Sequence, residues 1–323
     1  MESLSQNTQP LDWPAVAVAG AGAVGCYFGG MLARAGVPVT LIGRAQHMDA
    51  IAREGLLLER LTLSERVPLR VSTGLSAVHD ARVVLFCVKT VDTETVAQAL
   101  RPHLAPGSTV VSLQNGVDNV ERIYSAAKIR AIPAVVYVAC AMVAPGHVKH
   151  SGRGDLIIGN PARRVEDAQL PGLAPEAIAA MFECAEVPCR VSQTIETDLW
   201  TKMVINCAYN AISALGVARY GRMLKCQRTR DLMQRVIEEA VAVARAEGIA
   251  LDEPALTEAT FKLAEAMPGA LSSTAQDINR ARATEIDSLN GFLVRRAARL
   301  GIQTPVNQTL YTLVKLLEDS SRE

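Results

Sequence analysis

The chain predicts an α/β architecture, a doubly wound parallel sheet followed by an all-helical C-terminal domain, and three observations carry that reading. Short Val/Leu/Ile runs alternate with helix-compatible segments through the first half, as strands buried on both faces require. A glycine-rich stretch, "VAVAGAGAVGCYFGG" over 16–30, lies where the first run meets the first helix. After Thr194 strand signals nearly vanish and helical periodicity takes over.

In chain order, Ala15 to Ala19 is a short apolar run, Val24 to Ala35 is helix-compatible, and Val37 to Ile42 is β-rich, closed by Gly43-Arg44; together they form a βαβ unit. "RVVLFCVKT" (82–90) and "STVVSLQNG" (108–116) are near-continuous apolar strands, with the helix "TETVAQALRPHL" between them. From Ile132 to Gly159 the pattern becomes that of antiparallel hairpin strands extending the sheet, with a turn at Pro145-Gly146. Helices follow at about 198–215, 227–247, 254–266 and 274–299, then a final segment after Pro305. The expected organisation is a tail over 1–12, a nucleotide-binding sheet domain over 13–193 and a helical substrate domain over 194–323.

Composition narrows the class. The 323 residues are 49% hydrophobic and 20% charged, a globular composition. Lys+Arg and Asp+Glu balance at 33 each, so no charge excess draws the chain to nucleic acid or an acidic membrane. The seven cysteines include no C-x-x-C pair, which argues against a disulfide framework or a zinc site and for a reducing compartment. His147 and His150 form only an H-x-x-H in a predicted hairpin with no third ligand, which reads as exposed polar residues. Residues 1–12 lack a basic start and an apolar core, and no apolar run reaches the roughly 18 residues of a membrane span. A cytoplasmic protein is expected, with a small-molecule substrate and a homodimer as the assembly to look for.

Gly20, Gly22 and Gly25 make G-x-G-x-x-G directly after a predicted strand and at the opening of a predicted helix. In the Rossmann fold the first glycine permits the tight turn, the second lets a pyrophosphate approach the backbone and the third lets helix pack on strand. The helix N-terminus adds free N–H groups and the positive end of its dipole. Gly20, Ala21, Gly22, Ala23, Val24 and Gly25 are therefore candidate cofactor contacts; the competing reading is a glycine-rich turn without a ligand. Where an NAD site usually carries Asp or Glu, this chain has Gly43-Arg44, and the next acid, Asp49, lies beyond the strand end. A guanidinium there suits a 2′-phosphate, so NADP is favoured, against the alternative of a surface arginine closing the strand.

The helical half must supply the chemistry. In "DLWTKMVINCAYNAISAL" (198–215), Lys202, Asn206 and Asn210 recur every four residues on one face of an otherwise apolar helix. Asn is a poor helix-interior residue, so the stripe suggests a lined cleft; a buried structural lysine bonded by asparagines is the alternative. In "LSSTAQDINRARATEIDSLNGFLVRRAARLG" (271–301), Ser273 and Gln276 match a capping box, which would start the long helix at Ser273 and leave its hydroxyl to cap or to bind substrate. Glu285, three turns on, reaches the same cleft or is merely solvated.

GAGAVG (20–25), "CVKT" with Lys89, "LQNG" with Asn115, "LWTKMVINCAYN", "SSTAQDI" and "TEIDSLNGFLVRRA" together resemble the ketopantoate reductase (2-dehydropantoate 2-reductase) family, in that family's order, from about 15 to 317. The resemblance implies a Rossmann domain and a helical domain with NADPH in the cleft, reducing 2-dehydropantoate to (R)-pantoate on the route to pantothenate and coenzyme A. It makes Lys202 the catalytic lysine that donates to the ketone oxygen, a role suited to an ammonium. It makes Asn206, Asn210 and Ser273 substrate contacts, and places Glu285 near the nicotinamide ribose and the substrate, where it balances the lysine's charge. Lys89 and Asn115 become cofactor-proximal residues, each at the C-terminal end of a predicted strand.

Two positions depart from the family pattern: Ala270 and Tyr220 stand where the family often has asparagine. Losing two polar contacts, each worth roughly 0.5 to 1.5 kcal/mol, leaves the chemistry but opens the substrate to another branched 2-oxo acid. A non-catalytic NADPH-binding sensor is the third reading; a Lys202→Ala variant that binds NADPH yet loses turnover would speak against it.

Overall fold

The computed structural model describes residues 13–161 and 172–320; the expected tail over 1–12 lies outside them. The chain forms two units. Among the described residues the first comprises 13–114, 120–160 and 172–191, and the second 115–119, 161 and 192–320.

The first unit opens with β1 (Val16–Ala19), α1 (Ala23–Arg34), β2 (Val39–Ile42), α2 (Ala45–Glu54), β3 (Leu56–Glu59), β4 (Ser64–Val67) and β5 (Arg70–Ser72). It continues through β6 (Val83–Phe86), α3 (Thr93–Leu100), β7 (Thr109–Ser112), α4 (Asn119–Ala127), β8 (Ala131–Ala144), β9 (His147–Ile158), α5 (Pro175–Cys184) and β10 (Cys189–Val191). The strands form one sheet ordered β4-β3-β9-β8-β7-β6-β1-β2-β5, with β10 paired to β9. From β5 to β8 every pairing is parallel. With the β3-β4 insertion set aside, that stretch has the strand order 3-2-1-4-5-6 of doubly wound dinucleotide folds.

Alternation explains why these strands read as continuous apolar runs. Val16, Val18, Val83 and Leu85 enter the core on one face, while Ala17, Ala19, Val84 and Phe86 enter the other. Neither face of the central strands meets water, so successive positions on both must be apolar. The turn at Pro145-Gly146 closes an antiparallel β8-β9 hairpin that lengthens the sheet.

The second unit is helical: α6 (Ile195–Leu215), α7 (Tyr220–Lys225), α8 (Gln227–Ala246), α9 (Glu253–Ala266), α10 (Ser273–Ile278), α11 (Asn290–Leu300) and α12 (Pro305–Ser320). Helix α6 is central, with α8, α10 and α12 packed on it. Its Met203, Val204, Cys207, Ala208 and Ala211 join Val236, Ile237, Ala240, Leu293 and Val314 in one core.

Three expectations are corrected. The helix read as 274–299 is two helices separated by an irregular stretch. Helix α10 ends in a Schellman pair, Arg282 N–H to Asp277 O and Ala281 N–H to Ile278 O, both 2.9 Å, with Ala281 at φ +50°. Alanine in the glycine position of that motif hides the stop from the sequence. His150 is not exposed: it is 8% accessible, stacks on Tyr27 at 4.5 Å and contacts the Arg153 carbonyl through Nε2. His147 pairs with Glu59 at 2.8 Å. Lys89 and Asn115 do not end strands; β6 and β7 stop at Phe86 and Ser112, and both residues lie in the following loops. Among the described residues no group of three His, Cys, Asp or Glu side chains could hold a metal, and no helix is long and apolar enough to cross a membrane.

Candidate active site

The glycine loop joins β1 to α1. The amides of Gly20 and Ala21 donate to the Ile42 carbonyl at the end of β2, at 3.1 and 2.9 Å, so the adjacent strand fixes the turn. Gly20 has φ +108°, and a Cβ there would lie 2.7 Å from the Val88 amide. At Gly25 a Cβ would lie 2.3 Å from the Gly20 carbonyl; only glycine lets α1 cross β1 this closely. Gly22 differs in kind. It is the N-cap of α1 with an extended backbone, φ −84°, and no side-chain cap, and a Cβ there would meet nothing within 4 Å. It is exposed, and Ala23 and Val24 behind it are half-buried. The fold needs glycine at 20 and 25 but not at 22, where the missing side chain opens the approach to the first-turn amides of a twelve-residue helix. The loop fits a dinucleotide pyrophosphate.

Arg44 is exposed, lies one residue beyond Gly43 at the end of β2 and is the N-cap residue of α2, at the strand end where the ribose is read in this fold. Lys89 is exposed and precedes a short turn in which its carbonyl accepts from Asp92 N–H at 2.9 Å.

In the second unit the stripe on α6 runs from half-buried Lys202 and Asn206 to Asn210, which is 3% accessible. Lys202 Nζ donates to Asn115 Oδ1 at 2.8 Å, and Asn115 Nδ2 donates to Glu285 Oε2 at 2.9 Å. One carboxamide thus joins an ammonium to a carboxylate, its oxygen toward the cation and its nitrogen toward the anion. Asn119 Nδ2 holds the Asn115 carbonyl at 2.7 Å, and Gly116, at φ +107°, turns the chain between them. Asn115 therefore sits with the lysine and the glutamate, in the segment that belongs to the second unit.

A second pair lies about two turns further along α6, where Asn210 Nδ2 approaches Ser273 Oγ at 3.4 Å. Ser273 is not the cap. Ser272 Oγ accepts from Ala275 N–H at 3.1 Å and donates to the Asn210 carbonyl at 3.3 Å, while Ser273 is exposed. Capping a residue earlier frees the Ser273 hydroxyl for a ligand. Two adjacent serines make the register ambiguous in sequence, and Asn119 was missed because its contact with Asn115 comes from the turn at Gly116 and from no helical spacing.

An ammonium steadied by a carboxamide can polarise a carbonyl and supply its proton, and the chain carrying it has a loop built for a dinucleotide. The class so defined is that of dinucleotide-dependent oxidoreductases. Residues 16–163 match the family Ketopantoate reductase PanE/ApbA, and residues 194–318 match Ketopantoate reductase PanE/ApbA C terminal. A 2-dehydropantoate 2-reductase of Halobacterium salinarum is 32% identical over 94% of this chain and 98% of its own length. A crystal structure of a PanE/ApbA family ketopantoate reductase from Ralstonia eutropha superposes with a TM-score of 0.88, at 46% identity, covering 96% of this chain and 100% of that one. A D-mandelate dehydrogenase with NADH and anilino(oxo)acetate superposes at 0.86 with 25% identity, covering 95% and 99%. The chain belongs to the ketopantoate reductase family, and it is an oxidoreductase of a 2-oxo acid.

Proposed function

We propose that the chain reduces 2-dehydropantoate to (R)-pantoate with NADPH, as a cytoplasmic step toward pantothenate and coenzyme A. The Lys202–Asn115–Glu285 chain is the observation that carries this reading. Bound at the 20–25 loop, the nicotinamide dinucleotide supplies a hydride. Arg44 pairs with the 2′-phosphate, and Lys89 lies at the carboxyl edge of the sheet, where ligands of such folds collect.

Lys202 donates a hydrogen bond to the ketone oxygen and then a proton to the alkoxide that hydride addition creates. Its charge stabilises that developing anion more than the ground-state carbonyl, the condition for lowering the barrier. Asn115 aims the ammonium while a substrate is absent, and Glu285 balances its charge and orients the ligand. Asn206, Asn210 and Ser273 bind hydroxyl and carboxylate groups of the substrate.

A second reading, reduction of a different 2-oxo acid by the same residues, is favoured by Tyr220 and Ala270. The Tyr220 amide donates to the Ala270 carbonyl at 3.0 Å, so these two departures from the family pattern adjoin, and the Tyr220 ring lies 4.2 Å from that of Tyr209. An aromatic ring and a methyl replace amides, which suits a more apolar substrate, and the fold is shared with a D-mandelate dehydrogenase.

NADPH oxidation with ketopantoate and a panel of aliphatic and aryl 2-oxo acids tests both readings. The highest kcat/KM should fall on ketopantoate; a tenfold preference for an aryl substrate selects the second reading. Lys202→Ala should bind NADPH and lose turnover, and a wild type inert toward the whole panel would refute the enzyme reading.

A further inference from the structure

We infer that Glu318, near the end of α12, is a positioning residue for Glu285. The inference rests on the reductase reading above for its kinetic consequence. Glu285 lies outside regular helix, in the stretch between α10 and α11 that the Schellman turn releases. Such a stretch needs anchors to hold a charged side chain in one place.

Anchors stand on both sides of it. The Glu318 side chain, 2% accessible, accepts the Thr284 N–H at 2.7 Å through Oε1 and Lys315 Nζ at 2.7 Å through Oε2. Lys315 reaches Asp287 Oδ2 at 3.0 Å, and Asp287 Oδ1 accepts the Tyr311 hydroxyl at 2.6 Å. Arg295 Nη2 donates to the Asp287 carbonyl at 2.7 Å. Between these holds the chain bonds to itself, Ile286 N–H to Thr284 Oγ1 at 3.2 Å and Ser288 N–H to the Glu285 carbonyl at 2.9 Å. Thr284 and Asp287 are thus tied to α12 on either side of Glu285.

The placement of Glu318 is not what packing alone would choose. It continues the buried face of α12 through Leu310 and Val314, where an apolar residue would fill the same space without desolvating a carboxylate. The buried anion captures the backbone amide next to Glu285, with Lys315 offsetting its charge in part and linking it to the second anchor, Asp287.

The test uses Glu318→Leu and Glu318→Gln in the full chain, with Glu285→Ala as the second background of a double-mutant cycle. Glu318→Leu removes the acceptor. Deuterium uptake of the peptide over 279–289 should rise, and kcat/KM for the best 2-oxo acid should fall by about 10- to 100-fold, as loss of one charge-assisted contact implies. In the Glu285→Ala background the same substitution should cost less than threefold, because the group it positions is gone. Glu318→Gln keeps a carbonyl for Thr284 and should lie within about fivefold of wild type. Equal losses in both backgrounds would make Glu318 a stability residue and overturn the inference, as would unchanged deuterium uptake. If Glu318→Leu does not fold, Tyr311→Phe with Lys315→Met releases the second anchor and enters the same cycle with the same expectations. Wild-type inactivity toward every 2-oxo acid would sink the reductase reading alone, since deuterium uptake still reports whether Glu318 restrains the segment.

Discussion

The glycine loop makes a prediction in which two one-methyl changes have opposite signatures. In Gly25→Ala the new Cβ would stand 2.3 Å from the Gly20 carbonyl and 2.9 Å from Val18 Cγ1, about 1 Å inside ordinary van der Waals contact. Gly20 itself is tied to β2, so the methyl must push α1 away from β1. Overpacking of this kind costs about 1–3 kcal/mol, which for a unit of this size lowers its melting temperature by roughly 3–10 °C. In Gly22→Ala the methyl meets nothing within 4 Å and the backbone is already extended, so the melting temperature should stay within about 1 °C. The cost should appear in NADPH affinity instead, a weakening of about 10- to 100-fold as the methyl occupies the pyrophosphate approach. Melting by circular dichroism and NADPH titration by fluorescence read the two effects separately. If Gly22→Ala bound NADPH as tightly as wild type, the loop would not be the pyrophosphate site; if it melted like Gly25→Ala, the account of the loop's open side would be wrong.

Arg44→Ala should weaken NADPH at least tenfold more than NADH, measured as the ratio of the two dissociation constants; equal losses would remove the 2′-phosphate assignment. Asn115→Asp replaces the donor that Glu285 now accepts at 2.9 Å with a like charge, so kcat/KM at pH 7 should fall by about tenfold or more, and an unchanged value would break the link. Burial disfavours ionisation of Asp287 and Glu318, but hydrogen bonds from Tyr311 and Lys315 to the first, and from Lys315 and Thr284 to the second, hold both below the usual carboxylate range. Folded pKa values below the unfolded ones mean stability present above about pH 4.5 and lost as pH falls through the folded values, so the melting-temperature deficit of Glu318→Gln at pH 7 should shrink toward pH 3. Burial pushes the thiols of Cys26, Cys140 and Cys189 up to about 12, while a hydrogen bond from Thr229 lowers that of exposed Cys226; iodoacetamide at pH 8 should label Cys226 well before those three, as peptide mass spectrometry would show.

What sequence could reveal of this protein follows from the range over which each signal acts. The glycine loop, the central strands and helix α6 were legible because their determinants are local: glycines at fixed offsets, apolar runs, a polar stripe at four-residue spacing. The β3-β4 insertion and β5 were not, since "SERV" and "RVS" are short, polar segments whose strand conformation comes from neighbours supplied by the sheet. Their ladders are tertiary, and propensity carries little of them. The break after α10 was hidden because the left-handed residue is alanine, and Schellman bonds offset a backbone conformation that costs roughly 1–2 kcal/mol.

The candidate site divides along the same line. Lys202, Asn206 and Asn210 announce themselves by period, but Asn115, Glu285 and Glu318 come from sequence distances that no periodicity spans; hydrogen bonds of the Asn115 carboxamide cross 87 and 170 residues. Only the fold reveals that a residue assigned to the cofactor sits between the ammonium and the carboxylate. In the proposed reaction that carboxamide would orient Lys202, accepting from its ammonium while donating to Glu285, and being neutral it would add no charge of its own to the group that must turn to a carbonyl oxygen.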